Sequence, residues 1–246
     1  MTPKRAAALV IGNELLSGKI AELNVLVLAR TLRSIGIALE RVLMIPDERA
    51  LIAREVRELS AAHDVVFTSG GVGPTHDDVT IDAISDAFGV SAEVVPELET
   101  QLRAYYRETI TEGHLLMARA PAGSRLLANA EHPWPTIVKE NVWILPGVPQ
   151  IFAMKMPIIA AELGGAPRFV SLAVFTTLDE GLLKPLLDRV VAAHPAVEVG
   201  SYPKWHEPRY KTKLTFDGID TVAVQRARDS FAASLPQGTQ IDIDEE

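Results

Sequence analysis

Three glycines, a Pro-Thr pair and two adjacent carboxylates stand within the stretch Gly70-Gly71-Val72-Gly73-Pro74-Thr75-His76-Asp77-Asp78. Glycines tolerate positive φ and carry no Cβ, so Gly70, Gly71 and Gly73 can turn their backbone amides onto a phosphate, as a strand-to-helix turn often does. Ser69 and Thr75 add hydroxyl donors on either side. Asp77 and Asp78 complicate the cradle, because two carboxylates repel a bare phosphate. Either a divalent cation (Mg, Mn or Co) bridges acid and anion, or the acids face away from it. With a cation, the chemistry is hydrolysis of a phosphoanhydride, which needs charge neutralisation, an oriented water and a stabilised leaving group. Without one, the acids serve a plain βα turn, with Thr75 or Asp78 capping the helix that starts near Val79. The density of these features between one strand and one helix favours a ligand site. His76, a loop histidine, ranks below the aspartates as a proton carrier.

The elements that must hold this loop follow from apolar runs. Val65, Val66 and Phe67 form a short continuous run, as in a parallel strand buried on both faces, and ligands collect beyond the C-terminal ends of such strands. Residues 6–11 read as a first strand of the same kind, and 12–20 as the loop that follows it. Glu14 on that loop faces the same crevice and joins Asp77 and Asp78 as a candidate metal ligand and catalytic group. Ser17 and Lys19 are candidates for a second phosphate. A helix is expected near Asn24–Ile35, with Val25, Leu28, Ala29, Leu32 and Ile35 at helical spacing and Gly36 as its stop. Asn24 either caps that helix or touches the ligand. Residues 37–45 read as a strand, Pro46-Asp47 as the cap of the next helix, and Leu51, Ile52, Val56 and Leu59 as its buried stripe. Strand and helix alternating in this order imply parallel βαβ units with helices on both faces.

Further on, 79–88 continues as helix and 96–119 reads as a longer helical region interrupted around Glu112-Gly113. Tyr105 and Tyr106 within it read as core or interface rather than as a ligand wall. Thr136–Lys139 and Val142–Leu145 form a hairpin about Glu140-Asn141. Leu145-Pro146-Gly147-Val148-Pro149 is a rigid turn into a helix over 150–163, and Gly147 offers a second wall of the pocket. Gly164-Gly165-Ala166-Pro167 marks a domain boundary, giving domains 1–165 and 166–246. Beyond it, strand 169–176, helix 179–193, strands 196–202 and 209–216, helix 219–234 and strand 239–243 give βαββαβ, a ferredoxin-like α+β unit. Tyr202, Lys204, Trp205, His206 and Arg209 cluster between two of its strands, where a lid, a subunit contact and a plain hairpin loop are equally good readings.

The bulk numbers narrow the class. Across 246 residues, 48% hydrophobic, the chain can fill a substantial core. A net charge of −8, with no lysine or arginine cluster, argues against a nucleic-acid partner. The absence of cysteine removes disulfides, thiol catalysis and cysteine zinc sites. The apolar run before Gly12 is too short for a signal peptide or a transmembrane helix, so a cytoplasmic protein without membrane partners is expected.

Four segments together carry a family resemblance: Gly12-Asn13-Glu14-Leu15-Leu16-Ser17-Gly18 with Asn24, Gly70 through Thr80, Leu145 through Pro149, and Gly200-Ser201-Tyr202-Pro203. The first domain resembles the molybdopterin-binding MoaB and MogA proteins. The whole chain is similar to the N-terminal portion of the competence/damage-inducible protein CinA and to the equivalent part of eukaryotic FAD synthase. The resemblance implies a three-layer α/β domain with a nucleotide or pterin phosphate in the glycine loop, and metal-dependent hydrolysis of ADP-ribose or FAD-like dinucleotides. It leaves open a molybdopterin-binding or adenylylating role in molybdenum-cofactor assembly, or nucleotide binding without turnover. It also implies a homodimer or larger homo-oligomer. Two positions depart from the family pattern: Asn13 stands where relatives carry aspartate, and Gln150 where many carry glutamate. A neutral amide is the poorer metal ligand.

Overall fold

The computed structural model describes residues 3–129, 134–165 and 167–241. The chain divides into two compact units, Met1–Ala166 and Pro167–Glu246.

The first unit begins with β1 (Lys4–Ile11), the one-turn helix α1 (Asn13–Leu16), α2 (Asn24–Ser34), β2 (Ile37–Ile45), α3 (Arg49–Ala62) and β3 (Val65–Ser69). It continues with α4 (Thr80–Phe88), β4 (Ala92–Val94), α5 (Pro96–Tyr106), α6 (Glu112–Leu116), β5 (Arg119–Pro121), β6 (Arg125–Leu127), β7 (Thr136–Lys139), β8 (Val142–Leu145) and α7 (Pro149–Leu163). Six strands form one sheet in the order β2-β1-β3-β8-β7-β6. β1, β2, β3 and β8 run parallel, while β7 and β6 turn back antiparallel at one edge.

The continuous apolar runs have the expected cause. Along β1, Ala6 and Ala8 pack on one face with Leu28 and Leu32 of α2 and Phe152, Met156 and Ile159 of α7. Their neighbours Ala7, Leu9 and Ile11 pack on the other face with Ile52, Val56 and Leu59 of α3 and Ile81 and Ile84 of α4. A strand covered on both sides has no polar face, so alternation disappears from its sequence. β3 lies between β1 and β8, and all five of its residues are buried. Its C-terminal end therefore opens the glycine loop near the middle of the sheet.

Several local expectations change. Pro46-Asp47 does not cap α3: Glu48 holds the N-cap position without a side-chain bond, and the Asp47 carboxylate instead accepts the Asn13 N–H at 2.8 Å. The 96–119 region breaks earlier than expected, at Arg107, whose φ of 49° ends α5. Glu112-Gly113 starts a helix, because Thr111 and His114 form a reciprocal capping box ahead of it. Residues 92–94 and 119–121 pair as a small antiparallel ribbon. Three-residue strands offer too little alternation to be seen in sequence. Tyr106 stacks on His114 with ring centroids 3.9 Å apart and packs against the small Leu98 and Leu102 cluster. Tyr105 is exposed and meets Tyr106 edge-on.

The second unit runs β9 (Val170–Thr176), α8 (Glu180–Ala193), β10 (Glu198–Pro203), β11 (Thr212–Gly218), α9 (Thr221–Ser234) and β12 (Gln240–Ile241). Its antiparallel sheet has the order β10-β11-β9-β12, the arrangement of a ferredoxin-like βαββαβ unit. Val174, Leu214 and Phe216 of the sheet bury Leu183 and Val190 of α8 and Val224 and Phe231 of α9. Residues 242–243 of the expected last strand lie outside the described residues. No helix among the described residues is long and apolar enough to cross a membrane.

Candidate functional site

The loop after β3 is set by two glycines with positive φ, Gly70 at 105° and Gly71 at 66°. A Cβ on Gly70 would meet the Ile11 carbonyl oxygen at 2.2 Å, and one on Gly71 the Thr80 hydroxyl at 2.3 Å. These glycines lack side chains because the protein's own atoms fill the space, rather than to make room for a phosphate. Gly73 differs: its φ is not positive, and what lies 2.7 Å from the place of its Cβ is the movable end of the Asp78 side chain. Thr80 locks the turn: its N–H donates to the Gly71 carbonyl and its hydroxyl to the Gly70 carbonyl, both at 2.9 Å. The Gly70 N–H donates to the Leu145 carbonyl. Among the described residues, the amides of Gly71, Val72 and Gly73 donate to no protein acceptor. Three successive amides are thus without protein partners, half-buried at the end of a central parallel strand.

The two carboxylates behave otherwise than expected. α4 has Val79 at its N-cap with no side-chain bond, so neither Thr75 nor Asp78 caps it. Both acids instead close on Thr75. Its hydroxyl lies 2.6 Å from Asp77 Oδ1 and 2.6 Å from Asp78 Oδ2, and its N–H donates to Asp78 Oδ2 at 2.8 Å. A hydroxyl has one proton to give, so one of the two oxygen contacts is without a hydrogen. The Thr75 hydrogen bond and a backbone N–H hold the Asp77 carboxyl below the usual carboxylate range. His76 is fully in solvent, 3.8 Å from Asp77.

Glu14 folds its carboxylate back over Gly12, 2.5 Å from where a Cβ there would sit. Ser17 is exposed and gives its hydroxyl to the Glu14 carbonyl, and Lys19 is exposed. Asn24 is neither a cap nor a surface group. Leu23 occupies the N-cap of α2, and Asn24 is buried with its side-chain N–H groups donating to Ser69 Oγ and the Gly147 carbonyl, each at 2.9 Å. The structure thus gathers Ser69, Asn24, Gly147 and the glycine loop into one unit.

Asp47, missed by sequence reasoning, belongs beside these residues. Partial burial, and then the negative charges of Glu14 and Asp77, push its carboxyl above the usual range, opposed by the Asn13 N–H bond. Asp47, just past the end of β2, thus feels the charges of acids that follow β1 and β3. Its position just after a parallel strand was the available signal. Among the described residues, no group of three or more histidine, aspartate or glutamate side chains is gathered to hold a metal ion. The expected trio Asp78, Asp77 and Glu14 is not such a group, because Glu14 lies over Gly12 while the aspartates are turned onto Thr75. Asp47→Asn keeps an acceptor for the Asn13 N–H and removes one of the repelling charges. We expect the thermal midpoint to rise modestly at pH 7, by less than about 1 kcal/mol of stability. The gain vanishes near pH 3, where the native carboxyl is also protonated, and melts at both pH values check it.

Residues 7–163 match the family model of the probable molybdopterin binding domain, and residues 168–244 match that of the FAD synthase middle domain. A protein of Archaeoglobus fulgidus is 31% identical over 92% of this chain and 95% of its own length. A probable FAD synthase of Caenorhabditis elegans is 31% identical over 87% of this chain and 46% of its own. A CinA-like protein of Myxococcus xanthus is 31% identical over 85% of this chain and 53% of its own. The chain therefore spans about half the length of these last two relatives. Among solved structures, CinA of unknown function from Thermoplasma acidophilum superposes with a TM-score of 0.60 at 26% identity, over 66% of this chain and 99% of that one.

Proposed function

We propose, on the premise that this chain belongs to the probable molybdopterin-binding domain family and carries a second unit of the FAD synthase middle-domain type, that its loop after β3 binds the phosphate of a pterin or a nucleotide. The observation that supports this reading is the run of unpartnered amides at Gly71, Val72 and Gly73, in the turn that follows Ser69. Amides fixed in this way meet an anion with no cost of ordering at the moment of binding. Calorimetric titration of the full chain with ADP-ribose, ATP, FAD and molybdopterin tests it. Binding of at least one in the micromolar range is expected, and no heat with any of them removes the reading.

A second reading, hydrolysis of a nucleotide pyrophosphate with a divalent ion, has one specific observation in its favour. The Thr75 hydroxyl cannot satisfy both Asp77 and Asp78 with its single proton, and a cation would relieve that contact. Magnesium is commonly held by one or two carboxylates together with substrate phosphates and water, so a pair of aspartates suffices without a third protein ligand. In this reading Asp77 and Asp78 hold the ion, the free amides hold the phosphate, and Glu14 orients water. Mg²⁺, Mn²⁺ or Co²⁺ added with ADP-ribose should release AMP, and Asp78→Asn should slow release by about 100-fold or more, as loss of one charge-stabilising group does. Binding without AMP under any metal leaves the first reading alone.

We propose further that the chain self-associates. Leu26 on α2 and Ile151 and Met154 on α7, two helices on the same face of the sheet, present exposed apolar side chains. Sedimentation should give a multiple of 26.7 kDa.

A further inference from the structure

We infer that Asn24 is a positioning residue that aims the Ser69 hydroxyl at the bound anion; this rests on the phosphate-binding reading above. Asn24 is 3% exposed and stands at the first position of α2, where its side chain does no capping. Both of its N–H groups are used, one on Ser69 Oγ and one on the Gly147 carbonyl, each at 2.9 Å. Its Oδ1 is buried and has no hydrogen-bond partner. The apolar side chains Val10, Val25, Leu28 and Phe152 lie around Asn24 and Ser69.

The orientation of the amide is fixed by chemistry. Exchanging Oδ1 and Nδ2 would turn an oxygen onto the Gly147 carbonyl, an acceptor facing an acceptor. Leaving a buried oxygen unpartnered is unfavourable, and a group of this shape without polar atoms would avoid it. Both donors are therefore used at a cost that packing alone does not explain. They join the ends of β3 and β8 to the start of α2. The consequence falls on Ser69. Its oxygen accepts from Asn24, so its single proton points elsewhere, and among the described residues no protein acceptor takes it. Ser69 directly precedes the turn with the three free amides. Asn24 thus leaves Ser69 a preset donor to the anion, instead of a freely rotating hydroxyl.

A double-mutant cycle on the full chain, read as ADP-ribose affinity by calorimetry, tests this. Asn24→Leu and Ser69→Ala should each weaken binding by about tenfold, the value of one hydrogen bond to a charged group. The double variant should bind no more weakly than Ser69→Ala alone, because Asn24 acts only through that hydroxyl. Unchanged affinity in Asn24→Leu, or losses that multiply to about 100-fold in the double variant, would overturn the inference. If Asn24→Leu does not fold, Asn24→Asp is the second variant. It is nearly isosteric and replaces two donors by acceptors when ionised, so its affinity should fall as pH rises through the carboxylate range while the native affinity stays level. A level profile in that variant also overturns the inference. Failure of the native chain to bind ADP-ribose, ATP, FAD and molybdopterin alike would instead remove the phosphate-binding reading itself, which is a distinguishable outcome.

Discussion

Gly70→Ala is expected to lower the stability of the first unit by about 3–5 kcal/mol, the sum of backbone strain and forced repacking. At φ 105° an L side chain is strained whatever the space, and here the Cβ would also lie 2.2 Å from the Ile11 carbonyl oxygen. That oxygen belongs to β1, which is paired with β2 on one side and β3 on the other, so it cannot withdraw without breaking the sheet. Gly18→Ala separates the two terms. Gly18 has a positive φ of 71° with nothing within 4 Å of a Cβ, so only the conformational part is lost, about 1 kcal/mol. Urea titrations of both variants, followed by circular dichroism, measure the difference. Equal losses would mean that the close approach of β1 to the glycine turn is not maintained in solution. The comparison bears on function, since the same approach places the turn's free amides at the end of the sheet.

The second large effect is on pH dependence and comes from Lys155. This residue of α7 is 3% exposed, and its ammonium donates to the Trp134 and Pro135 carbonyls. Burial lowers its pKa from 10.5 to about 8. Between those two values the unfolded chain keeps the proton that the folded chain has released. The unfolded state then binds more protons, so stability rises with pH over this window. The full rise approaches about 3 kcal/mol, from the difference of the two pKa values at about 1.4 kcal/mol per unit. Below pH 8 both states are protonated, and the desolvation cost is carried in full. Lys155→Met should abolish the rise, since methionine fills a similar volume and does not titrate. Urea midpoints of the native and variant chains at pH 7, 8, 9 and 10 decide it, and parallel profiles would assign the slope to other groups.

The parts of the fold legible in sequence are those in which one physical signal dominates. Runs such as Ala6–Ile11 and Val65–Phe67 are apolar at every position because both faces are covered, and that is visible without knowing by what. The spacing of Leu28 and Leu32, the stop at Gly36 and the hairpin turn at Glu140-Asn141 are likewise local. Arg107 was not legible. Nothing in its type announces a positive φ, which is imposed where α5 must end before the Thr111 capping box. Asp47 was misread for a related reason. An aspartate just before a helix is the usual cap, yet here the start of the first loop, Asn13, reaches its carboxylate first.

The sequence by itself determined the class of fold, the two-unit order, the ferredoxin-like second unit and the glycine turn after the third strand, because composition, periodicity and glycine placement are properties of neighbouring residues. What each residue at that loop does was decided only by tertiary structure. Gly70 and Gly71 are glycine because Ile11 and Thr80 crowd them, Asp77 and Asp78 turn onto Thr75 instead of the helix, and Asn24 reaches across the sheet to Ser69 and Gly147. These partners lie from two to 123 positions away in the chain. A side chain's role depends on which donors and acceptors the folded backbone brings within about 3 Å of it, a distance that spacing along the sequence does not encode.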